Sequence, residues 1–302
     1  MQEQLSDRER MAFAQLEYEP LSVGQPVRLG GRDFGRVLGH VAAPDGFTLF
    51  VIGRPAPSRE LVLLFKGSTG LRKGNPTTWS NEWLATNLPL LGAILRRQRH
   101  IPSQLRPARR VVNRLLAAYP TRKFYLYGHS LGAINAQYAV ATCRQPGRVK
   151  HAWLYEGTNL YPLLTPRQRH QARKYHRRIE SYVDIYDPVT LGYVDDRQLV
   201  GTLRYVDSER QNPVSQHMWG GYHFDDHGAV ALRPLDAHFA EVTRLQQELI
   251  ARLTSVDDLL HEAPASLKAA PATLSEAGLG HLRDWLERAG KNLPLFGGTG
   301  VY

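Results

Sequence analysis

The chain of 302 residues has one cysteine, Cys143. A single thiol excludes an internal disulfide framework and any multi-thiolate zinc site. No run of residues approaches the roughly 18 uninterrupted apolar positions that a spanning helix needs. The opening stretch, MQEQLSDRERMAF, mixes charges of both signs and has no apolar core. It is therefore no ordinary secretory signal, and the expectation is a cytoplasmic chain or one exported without a conventional signal peptide. Internal repeats are missing as well. Acidic residues are in the minority, 28 against 38 Lys and Arg, for a formal net charge of +10. Such a surplus suits nucleic acid, anionic lipid or simply a basic surface, and composition does not choose among them. With 42% hydrophobic and 22% charged residues, the chain is globular and long enough to bury a sizeable core. Disordered and collagen-like architectures are excluded.

Apolar runs and turn residues mark the elements. A polar helical stretch over 7–18 leads into Gly- and Pro-punctuated segments up to residue 45. Strands are expected over 47–52, 61–65, 124–127, 152–155 and 182–186, with a later edge strand over 200–206. Leu61-Val62-Leu63-Leu64-Phe65 is continuously apolar, as suits a strand buried on both faces. Helices are expected over 101–119, 133–142 and 166–180. This alternation predicts an α/β chain with a mostly parallel sheet flanked by helices. From Leu235 the chain turns helical, crosses an Ala/Pro-rich spacer over 263–273 and ends in a short helix near Asn292. The expected division is a catalytic domain over 1–235 and a C-terminal helical extension over 236–302.

Gly128-His129-Ser130-Leu131-Gly132 is a G-x-S-x-G pentapeptide. Its setting carries more weight than the pattern, because it directly follows one expected strand and directly precedes a helix. That is the strand–turn–helix context of a nucleophile elbow. Two glycines allow a sharp turn that leaves Ser130 exposed at the sheet edge, and the helix start aims N–H groups at developing negative charge. Ser130 is the expected nucleophile. Acyl transfer needs a second N–H donor beside that of Leu131, the residue after the nucleophile. Phe65-Lys66-Gly67-Ser68-Thr69-Gly70 ends an earlier buried strand and can supply it at Ser68, whose hydroxyl adds a donor.

Phe65-Lys66-Gly67-Ser68, then Trp79-Ser80-Asn81, then Gly128-His129-Ser130-Leu131-Gly132-Ala133, then Asp187-Pro188-Val189-Thr190 occur in that order. The series resembles the class 3 lipases, the family of the fungal triacylglycerol lipases and many bacterial relatives, over roughly residues 45–225. The resemblance implies an α/β-hydrolase fold, a serine hydrolase acting on lipid or other carboxylic esters, and no cofactor. The chain departs from the family pattern at Lys66 (commonly Arg), Ala133 (a second elbow Gly) and Thr190 (Pro).

Asp187 directly follows the strand expected over 182–186, and Pro188 stiffens the turn that holds it. It is the expected triad acid. Asp184 is the runner-up, but as a mid-strand residue it is expected to point into a sheet face and to matter mainly for stability. In this architecture the base follows the acid, which leaves His217, His223, His227 and His238. His217, five residues before Tyr222, resembles the late family His that precedes an aromatic residue, and His223 is the alternative base. His223 and His227 bracket Phe224-Asp225-Asp226, which reads as a solvated hairpin turn rather than a metal site, so no metal is expected.

Two basic stretches bear on partners. Trp79, Trp83, Leu84, Leu88, Leu90, Leu91, Ile94 and Leu95 precede Arg96, Arg97 and Arg99. Trp79, Trp83, Leu88 and Leu91 are candidate lid or lipid contacts, with the arginines facing anionic headgroups of a membrane surface; a buried helix with a basic end is the competing reading. The run Arg167, Arg169, Arg173, Lys174, Arg177 and Arg178 reads first as a solvated helix face. No recognised nucleic-acid-binding motif accompanies it, so nucleic acid is not the expected partner. Against the hydrolase stands a non-catalytic binding or scaffold protein that keeps the fold, since fold does not fix function.

Overall fold

The computed structural model describes residues 2–44, 46–55, 58–67, 105–187, 189–195 and 197–245. Ser68, Trp79, Trp83, Leu88, Leu91, the arginines at 96, 97 and 99, Pro188 and the extension beyond 245 lie outside the described residues.

Eight strands form one sheet whose spatial order follows the chain: β1 (Pro26–Leu29), β2 (Arg32–Ala42), β3 (Thr48–Gly53), β4 (Glu60–Phe65), β5 (Lys123–His129), β6 (Val149–Tyr155), β7 (Ile179–Val183) and β8 (Thr202–Tyr205). The first four pair antiparallel, and β4 to β8 run parallel. This is an α/β fold with helices packed on the sheet, as the alternation of elements predicts. The early pair β1–β2 was not expected. Of its residues, Val27, Phe34 and Val37 are buried and the rest are exposed or half-buried, so it carries no continuous apolar run.

Alternation along β4 sets the two sides of the core. Leu61, Leu63 and Phe65 join the cluster under α2 (Leu105–Ala118), α3 (Leu131–Thr142) and α4 (Pro166–Lys174), while Val62 and Leu64 face the side covered by α1 (Asp7–Gln15). α3 is almost wholly buried, its polar side chains Asn135, Gln137 and Thr142 included, and has no solvent-facing polar stripe. α1 starts with a full capping box between Ser6 and Glu9, then tightens into a 3-10 turn, Leu16–Tyr18. Beyond β8, a helix over 237–245 places Phe239 and Val242 against Val183, Ile185, Tyr193, Leu199 and Tyr205.

Several boundaries differ from expectation, among them the start of β6, three residues early at Val149. The basic helix stops at Lys174, followed by a 3-10 turn at His176–Arg178, and β7 then begins at Ile179, three residues early. β7 ends at Val183, so Asp184 is not a mid-strand residue. Its Oδ1 accepts the N–H of Tyr186 at 2.8 Å, a local turn that draws the chain out of the sheet although Ile185 and Tyr186 are good strand formers. Among the described residues no helix is long and apolar enough to cross a membrane.

Candidate active site

The parallel strands end nearly level. Phe65 pairs with Gly128, His129 with Tyr155, and Tyr155 with Tyr182. The loops leaving this edge carry the candidate residues.

Ser130 sits between β5 and α3 with φ 56° and ψ −127°, a conformation that an L-residue adopts only under constraint. Its N–H donates to the carbonyl of Tyr155 at 3.0 Å, and its own carbonyl accepts from Ile134 at 3.2 Å. The flanking glycines are required by close approach. A Cβ on Gly132 would lie 2.2 Å from the carbonyl oxygen of Phe65, and one on Gly128 would lie 2.6 Å from the backbone of Gly132. A Cβ on Gly157 would lie 2.7 Å from that of Ala133, so the pair has room for one methyl. Ala133, where the resembled family has glycine, is therefore accommodated by a glycine across from it. Leu131 opens a twelve-residue helix, and the N–H groups of that first turn have no intrahelical carbonyl to bond.

The acid and the late histidine meet. His217 Nδ1 and Asp187 Oδ2 are 2.7 Å apart, and both side chains are fully buried. The other oxygen of Asp187, Oδ1, accepts the N–H of Val189 at 2.7 Å, so both carboxylate oxygens are engaged. His217 ends the short helix α5 (Pro213–His217), capped by Asn212, whose side chain accepts from Ser215 N–H at 3.0 Å. Gln216, one residue earlier, donates from Nε2 to Asp184 Oδ2. α5 is thus tied to the acid loop twice. The ring of His129, next to Ser130, lies with its centroid 4.5 Å from that of His217 and 3.9 Å from Trp219. These tilted ring contacts place His217 beside the residue that precedes Ser130. His223 and His227 lie exposed on a turn closed by Asp225, whose Oδ1 accepts from His227 and Ala229 N–H, and His238 is exposed on the helix over 237–245.

Two buried carboxyls here, Glu156 and Glu17, escaped the sequence reading. Glu156 directly follows β6 with φ 49° and accepts from Thr190 Oγ1 at 2.7 Å, from Asp184 N–H at 3.2 Å and from the Tyr222 hydroxyl. Burial, then the charges of Asp187 and Asp184, push its carboxyl well above the usual range. Asp184 is pushed up to about 6, chiefly by burial. One signal was available: Glu156 is the sole acid between Glu82 and Glu180, and it stands at a strand end. Glu17 is fully buried, and its Oε1 accepts the N–H of Gly67 at 3.0 Å. Burial raises this carboxyl well above its ordinary value too. Among the described residues no group of three or more His, Cys, Asp or Glu is placed to hold a metal ion.

No family model matches the chain, and no curated protein matches it. Solved structures do. A Rhizomucor miehei lipase in complex with its propeptide is similar at 12% identity over 60% of this chain and 60% of that one, with a TM-score of 0.36. Lipase II from Rhizopus niveus is similar at 17% identity over 59% and 69% of the two chains, TM-score 0.35. A triacylglycerol lipase from Penicillium expansum is similar at 14% identity over 76% and 89%, TM-score 0.37. The chain spans about three fifths of the length of the Rhizomucor lipase.

Proposed function

We propose that this protein is a serine hydrolase of the class 3 lipase type that cleaves carboxylic esters of lipids. Ser130 is the nucleophile, His217 the base and Asp187 the acid. The observation that carries the reading is the buried pairing of Asp187 with His217 Nδ1, with the His217 ring packed against the residue adjoining a strained serine. Asp187 accepts the Nδ1 proton, which makes Nε2 the basic nitrogen and stabilises the imidazolium that forms when Ser130 gives up its proton. The Ser130 oxygen attacks the ester carbonyl, and the tetrahedral oxyanion takes N–H donors from Leu131 at the start of α3 and, by the resemblance of the Phe65–Ser68 motif, from Ser68. His217 then protonates the leaving alcohol, and water activated by the same histidine releases the acyl group. The steps need no cofactor. Lipid esters are the substrate class that the motif series suggests, and Trp79, Trp83, Leu88 and Leu91 are the proposed lipid contacts, with an anionic membrane as the surface they meet.

A panel of p-nitrophenyl esters, triglycerides and phospholipids, assayed beside Ser130→Ala, tests the reading. Hydrolysis of at least one class that is lost in the variant supports it. A panel with no turnover overturns it in favour of a non-catalytic binding protein, and turnover that survives Ser130→Ala overturns Ser130 as the nucleophile.

A further inference from the structure

The 3-10 turn Leu16–Tyr18 is remote from the elbow in sequence, yet two of its side chains enter the site. The Tyr18 hydroxyl hydrogen-bonds His129 Nδ1, and His129 Nε2 lies 2.7 Å from the main-chain carbonyl of His217. A carbonyl can only accept, so Nε2 carries the proton. In a neutral imidazole Nδ1 is then the acceptor, and the Tyr18 O–H donates. Burial, reinforced by the neighbouring His217, lowers the His129 pKa well below its ordinary value and keeps the ring neutral. The adjoining Glu17 accepts the N–H of Gly67, on the loop that leaves β4. None of the chemical steps above uses Glu17, Tyr18 or His129. A buried carboxyl and a buried imidazole are costly to fold unless their partners repay desolvation, and beside the Tyr18 hydroxyl those partners are the main chain of Gly67 and of His217 at the end of α5.

We propose that Tyr18 is a positioning residue for the base. Acting through the His129 imidazole, it fixes the main chain of His217, while Asp187 fixes the ring, and Glu17 on the same turn holds Gly67. The inference rests on His217 being the base of a serine hydrolase. Loss of the Tyr18 hydroxyl leaves the buried Nδ1 without its donor. The ring is then held from one side only, and its tilt moves the His217 carbonyl bonded to Nε2–H and the helix end that carries the base. Small displacements of reacting groups cost rate rather than binding, because a short soluble ester gains nothing from Tyr18.

The test is kcat and KM of the full chain on a soluble short-chain p-nitrophenyl ester. Tyr18→Phe should lower kcat about tenfold, with KM within about twofold of wild type and a near-normal melting temperature. In a His129→Asn background the same change should lower kcat no further, since the path it acts through is gone. Nitrogen NMR of the imidazoles should find His129 as the Nε2–H tautomer in both proteins, with the Nδ1 resonance of Tyr18→Phe moved by loss of its donor. Glu17→Gln, which keeps an oxygen acceptor for Gly67, should retain kcat, and Glu17→Leu should lose it. Should Tyr18→Phe fail to fold, the Glu17 pair decides: equal rates in the two variants overturn the proposal. Wild-type kcat in folded Tyr18→Phe, or losses from Tyr18→Phe and His129→Asn that simply multiply, overturn it as well. These outcomes differ from failure of the hydrolase reading, in which the wild type itself shows no Ser130-dependent turnover.

Discussion

At their C-terminal ends, strands β5 to β7 deliver buried ionisable groups: His129, Glu156, Asp184 and Asp187, joined by Glu17 from the 3-10 turn after α1 and His217 from α5. At their N-terminal ends charge stays near the surface and is paired. There Glu180, at the start of β7, faces Arg204 Nε at 3.1 Å and His151 Nε2 at 3.4 Å. Arg178 Nη1 donates to the carbonyls of Gly147 and Val149 at 2.9 and 3.1 Å, and Arg148 closes the carbonyls of Leu116, Tyr119 and Arg122. The same chemical group responds in opposite ways. Burial raises the carboxyls of Glu156, Asp184 and Glu17, whereas at Glu180 burial is outweighed by His151 and Arg204, which hold it at about 2. Backbone strain divides the same way. The non-glycine residues with positive φ among those described are Ser130, Glu156 and Trp219, all at the C-terminal end. One end lowers the free energy of the fold, and the other raises it to hold groups in place.

Substitutions should separate the two ends. The largest effect is expected for Asp187→Asn, which keeps size but reverses hydrogen-bond demand at His217 Nδ1. Ester turnover should fall on the order of 10⁴-fold while the fold persists. Circular dichroism beside the rate measurement checks this, and a loss below tenfold would show that His217 does not depend on this carboxylate. Next comes packing. Gly132→Ala forces a methyl to within 2.2 Å of the Phe65 carbonyl, a backbone atom that cannot swing aside. It should destabilise by about 2–4 kcal/mol in urea unfolding. Gly147→Ala, at the opposite end, has its nearest atom at 3.9 Å and should stay within about 0.5 kcal/mol. Equal midpoints for the two would break the contrast.

The smallest effect is electrostatic and depends on pH. The carboxyl of Glu180 titrates at about 2 in the fold against 4.5 when unperturbed. Between those values the unfolded chain binds more protons, so stability rises with pH through the window and is lost as pH falls from about 5 to 2. Glu180 is partly open to solvent, so the discounted contribution is about 1 kcal/mol. Glu180→Gln should therefore lower stability at pH 6 by about that amount and converge with the wild type near pH 2. A constant offset across this range would show that the loss is one of packing.

Much of this was legible in the sequence where structure is local. The apolar run over 61–65 is a strand, and the elbow pentapeptide falls between a strand and a helix. Asp187 and His217, which meet in the structure, could be singled out because Asp187 follows a strand, chain order leaves four histidines after it, and the late family His resembles His217. What stayed hidden is long-range. Glu17 and Tyr18 reach the site only after α1 has packed on the Val62–Leu64 face, and no local pattern marks them. The end of β7 was missed because Ile185 and Tyr186 extend the apolar pattern, while the Asp184 turn that ends the strand works through a side chain. The β1–β2 pair was missed because half-exposed antiparallel strands interrupted by glycine lack a continuous run.

The most direct test of the central claim is covalent. The full chain is treated with a fluorophosphonate at pH 8, and the adduct is mapped by peptide mass spectrometry. A serine hydrolase of this design gives one adduct, on Ser130, that is lost in Ser130→Ala and slowed at least a hundredfold in His217→Ala, in line with the weight a general base carries. An adduct on another residue, or no adduct on the folded wild type, would contradict the assignment of Ser130 as the nucleophile.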